Sequence, residues 1–145
     1  MHLGLKFDPM PAPRPRARAF VVKGKAIVSM YHPKEYTAYQ ADLADAIKDA
    51  IGDVPPMEGP LHVAIVVFVE RPKTTKLDAP KPDADNYAKG ILDAATKAGI
   101  WVDDTQVVHL EVVKLWASPG DESAIGIAAS PADIAALMAQ FEEAV

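Results

Sequence analysis

The chain has 145 residues, 50% apolar and 24% charged, a balance that points to one folded domain with a buried core and excludes a disordered or fibrous chain. It has no cysteine, which removes disulfides and every thiolate metal site, and it has no apolar run long enough for a signal peptide or for the roughly 20 residues of a membrane span. The expectation is a soluble, cytoplasmic protein with no membrane contact. The net charge of −5 does not suggest a partner for nucleic acid, but it averages over a gradient: residues 1–40 hold seven Lys or Arg against two acids, and residues 117–145 hold five acids and no Lys or Arg. A phosphate backbone responds to local potential, so the gradient permits DNA without arguing for it.

Residues 2–7 alternate weakly and suit a short strand. The segment Pro9 to Arg18 carries four prolines and must be extended, since proline fixes φ and disfavours helix before it. Arg14, Arg16 and Arg18 fall on one side of an extended chain. This arm is open to two readings, a solubilising tail or a basic strip for phosphates. Phe20-Val21-Val22 and Ala26-Ile27-Val28 flank Lys23-Gly24-Lys25, the pattern of a hairpin. Residues 1–33 thus read as a basic Pro/Arg arm with a hairpin.

The spacing of Tyr36, Tyr39, Leu43, Ile47 and Ala50 predicts a helix over 34–51, with Asp42, Asp45 and Asp49 on a solvated face and Gly52 and Pro55-Pro56 as the stop. Leu61 to Val69 is apolar on both alternating faces, as in an interior strand. A loop from Glu70 to Pro82 follows, locally basic through Arg71, Lys73, Lys76 and Lys81. Asp85 to Ala98 reads as a second helix, with Ile91, Leu92 and Ala95 inward and Gly99 ending it. Val107 to Trp116 is a long strand with Val108, Leu110, Val112 and Trp116 on one face, and Ala124 to Ala128 a further strand. Ser130 suits an N-cap and Pro131 the first turn of a C-terminal helix with Ile134, Leu137, Met138 and Phe141 as its stripe. That helix either packs on the core or joins a partner chain.

The chemistry concentrates in Lys81-Pro82-Asp83-Ala84-Asp85-Asn86-Tyr87-Ala88-Lys89 and in Gly99-Ile100-Trp101-Val102-Asp103-Asp104-Thr105-Gln106. Capping and the helix dipole explain one acid at a helix entry comfortably and the pair Asp83 and Asp85 less well. A helix over Asp85 to Ala98 is about 21 Å long, and the return from Gly99 to Asp104 spans roughly 17 Å if extended. Asp104 can therefore approach Asp85 if the segment runs straight back. Carboxylates brought together raise one another's pKa unless a cation sits among them. Oxygen-only ligation suits magnesium or manganese, which can activate water and neutralise charge building on a phosphodiester. Asp103 is a further candidate ligand, and Asn86 could orient a ligand or a water. Lys89 lies one turn after Asp85, placed either to stabilise a charged transition state or to form a surface ion pair with Asp85 or Asp93. His2, His32, His62 and His109 show no paired-ligand spacing, and His62 and His109 read as sheet residues.

At these residues the sequence resembles the RusA family of Holliday junction resolvases, often carried by phages and prophages. The resemblance rests on the acid-x-acid-Asn-x-x-Lys run of Asp83 to Lys89, on Leu92-Asp93-Ala94, and on Asp103-Asp104-Thr105-Gln106-Val107. It is strong over residues 81–116 and looser over the arm and the first helix. It implies a single compact α+β domain with a mixed sheet and two main helices, to which the sequence adds a C-terminal helix. It also implies a homodimeric, magnesium-dependent endonuclease that cuts four-way DNA junctions by paired nicks, with Asp83, Asp85, Asp104 and Lys89 as the catalytic set and the three aspartates as metal ligands. The basic arm and the Arg71, Lys73, Lys76 and Lys81 loop would then position the phosphates of branched DNA. The acidic extension over 117–145 departs from the family pattern. Two other functions stay open, a nuclease for other branched or flapped DNA and a non-catalytic DNA-binding protein on the same fold.

Overall fold

The computed structural model describes residues 1–142 and 144. Its strands are β1 (His2–Leu5), β2 (Arg16–Val22), β3 (Lys25–Tyr31), β4 (Leu61–Val69), β5 (Val107–Trp116) and β6 (Ala124–Pro131). Its helices are α1 (Lys34–Ile51), α2 (Ala84–Ala98) and α3 (Ile134–Glu142), with a 3-10 turn over Asp104–Gln106. This is one α+β domain, a four-stranded mixed sheet in the order β1-β6-β4-β5 beside a two-stranded hairpin.

β4 is interior, antiparallel to β6 and parallel to β5, and a parallel neighbour requires the crossover that α2 supplies. Its odd residues Leu61, Val63, Ile65 and Val67 are buried beneath α1 and α2 along with Ile125 and Ile127 of β6. Its even residues face the other side and are only half-buried, so an apolar strand here has one covered face rather than two. β6 reaches Pro131 in register with Leu61, which makes residues 124–131 part of the sheet rather than of an appended tail.

α1 follows the expected boundaries, and Tyr36, Tyr39, Leu43 and Ile47 are buried as the spacing predicts. Ala50 departs from that stripe: it is exposed, and the half-buried Ile51 carries the last inward contact. Asp42, Asp45 and Asp49 are exposed. The β2–β3 hairpin turns through Lys23 and Gly24 at φ 49° and 76°. Two successive positive φ angles match the right-handed twist of the strands and suit Gly24.

The C-terminal helix begins later than the sequence suggests. Ser130 and Pro131 are held in the β6 ladder opposite His62 and Leu61, so neither can open a helix. Asp133 caps it instead, its Oδ1 accepting from the Ala136 N–H at 2.9 Å. No residue of α3 is buried among the described residues, and Ile134, Met138 and Phe141 are exposed.

Candidate active site between α2 and β5

The approach to α2 is fixed from two sides. Lys114 Nζ donates to the carbonyls of Pro80 and Pro82, both at 2.8 Å, and Tyr87 Oη donates to the Lys81 carbonyl at 2.6 Å. Asp83 follows as the residue before α2, in extended conformation, with no side-chain cap bond, and its carboxylate is therefore not consumed by the helix. The backbone carbonyl of Asn86 accepts from the Ala12 N–H at 2.8 Å, which lays the proline arm against α2.

The return segment is held as firmly. Gly99 adopts φ 85° to end α2, Trp101 is 1% exposed, and its indole donates to Thr96 Oγ1 at 2.7 Å. Asp103 and Gln106 form a capping box around the 3-10 turn. Asp103 Oδ1 accepts from the Thr105 N–H at 2.9 Å, and Gln106 Oε1 accepts from the N–H groups of Val102 and Asp103 at 3.0 and 3.1 Å. The hydrogen bonds from Thr105 hold the Asp103 carboxyl below the ordinary carboxylate pKa.

Between these elements lies an open cavity of about 570 Å³ lined by Asp85, Lys89, Asp93 and Asp104, with Leu110 and Val112 of β5 among its other walls. Asp85, Lys89 and Asp93 recur at intervals of four along α2 and share one face. Asp93 Oδ2 accepts from Gln40 Nε2 at 3.1 Å, tying it to α1. Among the described residues Lys89 forms no salt bridge, so the surface ion pair with Asp85 or Asp93 is not made. Asp83, Asp103 and Asn86 stand outside the lining of this cavity. The three aspartates do not converge to within 4.8 Å of one another. Carboxylate oxygens are the donor type that magnesium or manganese prefers, and such an ion takes one or two of them and keeps several waters.

The basic residues divide. Arg14, Arg16 and Arg18 are exposed, as are Lys76 and Lys81. Arg71 and Lys73 line a cavity that they share with Glu70, Asp121 and Glu122, so the loop is basic in sequence and of mixed charge in space. Two contributors, Lys114 and Gln40, were not singled out from the sequence, and a third, Gln106, was read as part of a motif without its capping role. Lys114 is a lone cation facing inward by strand parity, Gln106 completes an Asp-x-x-Gln capping pattern, and Gln40 is a polar residue on the apolar stripe of α1.

Comparison with known proteins adds to this geometry. The family model described as endodeoxyribonuclease RusA matches residues 6–125, ending inside β6. The crossover junction endodeoxyribonuclease RusA of Escherichia coli strain K12 is 36% identical over 86 residues, which are 59% of this chain and 65% of that protein. Those of Shigella sonnei and of Enterobacteria phage 82 are each 35% identical over the same lengths. The chain thus spans just under two thirds of the length of these curated relatives.

Proposed function

The chain belongs to the RusA family, and on that premise we propose that it is a magnesium-dependent endodeoxyribonuclease that resolves four-way DNA junctions by paired phosphodiester hydrolysis. The observation that carries this reading is the cavity lined by Asp85 and Asp104, from separate elements, and by Lys89, which forms no salt bridge among the described residues. Its support from similarity is that the relatives are named crossover junction endodeoxyribonucleases.

In this reading Asp83, Asp85 and Asp104 hold the metal, with manganese as a substitute, and Asp103 is left to its capping bonds. The bound ion would lower the pKa of a water and offset charge on the phosphate. Lys89 supplies a cation aimed at the oxygen on which negative charge develops. Lys114 and Tyr87 fix the loop that carries Asp83, and Gln106 fixes the turn that carries Asp104. Arg14, Arg16, Arg18, Lys76 and Lys81 take phosphates and set the register of the DNA, with Arg71 and Lys73 weaker contributors because acids adjoin them.

Paired incision needs two such sites related by a two-fold axis, and a homodimer provides them. The apolar side chains left uncovered favour that state: on the hairpin Val21, Val28 and Met30 are 71%, 66% and 62% exposed, and on α3 Met138 is 62% exposed.

The test is incubation of the purified chain with a labelled four-way junction and a matched linear duplex, in magnesium and in EDTA. Symmetric nicks in the junction alone, in magnesium alone, are expected. Equal cutting of junction and duplex would replace junction preference with a broader nuclease. Binding without cutting would overturn the enzymatic reading.

A further inference from the structure

On the side of β5 away from the aspartate cavity, His62, His109 and Glu111 form a cluster that the proposed nuclease chemistry does not use. Leu110 and Val112 line the aspartate cavity, and the residues alternating with them, His109 and Glu111, point to the opposite face of the sheet. A β-bulge brings the three together. Leu61 pairs with Val107, but the next residue, His62, pairs with His109, so Val108 is the extra residue of β5. Without that shift His62 would stand opposite Val108, and His109 and Glu111 would belong to the other face.

The cluster has the dimensions of a cation site. Glu111 Oε1 lies 2.9 Å from His62 Nε2 and 3.4 Å from His109 Nε2. The two imidazoles stack with centroids 4.0 Å apart and planes within 10°. One donor atom from each residue lies within 4.8 Å of the other two. Donors bound to zinc at about 2.0–2.2 Å in a tetrahedron stand roughly 3.3–3.6 Å apart, so the donor spacing suits the ion, and binding requires the stacked rings to rotate out of parallel until both Nε2 lone pairs face it. Glu111 also lines a cavity of about 450 Å³ over the uncovered face of the sheet, beside Ala64, Val66 and Gly126. That cavity leaves room for a water or other ligand in a fourth position.

We propose that His62, His109 and Glu111 bind one zinc ion, or a similar borderline divalent metal, at a site separate from the aspartate cavity. Two imidazoles and one carboxylate are a donor set for zinc, nickel or copper, whereas magnesium prefers oxygen alone. The two sites therefore differ in the metal they select. Ligation uses the Nε2 lone pairs, so zinc and protons compete for the same atoms. A solvent-exposed carboxylate–imidazole contact is worth little to folding by itself, which leaves the site free to take a ligand without loss of the fold. The inference does not depend on the nuclease reading.

The test uses the full chain carrying Asp83→Asn, Asp85→Asn and Asp104→Asn, so that the proposed metal ligands of the aspartate cavity are all removed. Calorimetric titration with zinc is expected to give one ion per chain, undisturbed by excess magnesium. His62→Phe keeps a ring in the stack and removes the donor, and Glu111→Gln keeps the shape and removes the charge. Each should weaken zinc at least about tenfold, since loss even of a group that only orients a ligand costs that much. In proton NMR, zinc should move the ring signals of His62 and His109 and leave those of His32 in place. Zinc binding that survives both substitutions, or shifts confined to His2 or His32, would overturn the site. A folded His62→Phe variant, checked by circular dichroism, separates loss of the ligand from loss of the fold.

Discussion

Gln106 and Asp103 hold each other: the Gln106 side chain accepts from the Asp103 N–H at 3.1 Å, and the Asp103 carboxylate closes the same turn through Thr105. Gln106 Nε2 also donates to the carbonyls of Met57 and Gly59, each at 3.0 Å, fastening the turn to the segment before β4. Asp104 lies between the two capping residues and inherits its position from them. Gln106→Ala should lower stability by about 1–2 kcal/mol in urea denaturation. It should also reduce cleavage of a four-way junction more than it reduces junction binding by gel shift.

Asp85→Asn and Asp104→Asn should each bring magnesium-dependent cleavage to background while junction binding is retained. The double variant should be no worse than either single one, because groups that act as a unit are not additive. Lys89→Met should cost on the order of 10²–10³ in rate, the range for losing one group that stabilises developing charge. Cleavage by Asp83→Asn at the parental rate would remove Asp83 from the metal set.

Lys114 binds the loop before α2 and stands outside the walls of the aspartate cavity. Its replacement by Met frees the Pro80 and Pro82 carbonyls and lets Asp83 shift. A displacement of about 1 Å is enough for a hundredfold loss of rate. Lys114→Arg should recover part of that loss, whereas the affinity for junction DNA should change little in either variant.

A Cβ placed on Gly90 would meet the Tyr36 hydroxyl at 2.6 Å, where α1 and α2 touch. Gly90→Ala should therefore destabilise by about 1–3 kcal/mol. The Tyr36 hydroxyl is buried without a hydrogen-bond partner, so Tyr36→Phe should be neutral or stabilising alone. Combined, the two should couple favourably in a double-mutant cycle, the signature of a shared contact.

Burial pushes the Tyr39 phenol up to about 12 and raises Tyr36 and Tyr87 above 10.0, with the Asp93 charge adding to the effect at Tyr36. In each case the fold favours the neutral form. The stability this contributes is complete below pH 10, where folded and unfolded chains are both protonated, and is lost as pH rises from 10 through 12. Absorbance titration of the native chain should show Tyr39 ionising near 12, followed closely by loss of the helical circular dichroism signal.

Most of the secondary structure was legible because it depends on local periodicity. The spacing of Tyr36, Tyr39, Leu43 and Ile47 specified α1, the apolar run from Val63 to Val69 placed β4 in the interior, and Gly99 marked the end of α2. The motifs around Asp83 and Asp104 likewise pointed to the family, since a motif is a property of the chain order alone. What failed was read from the same local rules where a distant partner overrode them. Ser130-Pro131 has the pattern of a helix start, but pairing with Leu61 and His62, nearly 70 residues earlier, keeps it in strand. Only the tertiary structure brought Asp85, Lys89 and Asp104 to one cavity and left Asp83 and Asp103 outside its walls. It also revealed Lys114 as the support of the Asp83 loop and used one bulged residue to gather His62, His109 and Glu111 on the far face of the sheet. Periodicity fixes which way a side chain points relative to its own element, but register and crossover decide what it meets, and those are set by contacts between residues far apart in the chain.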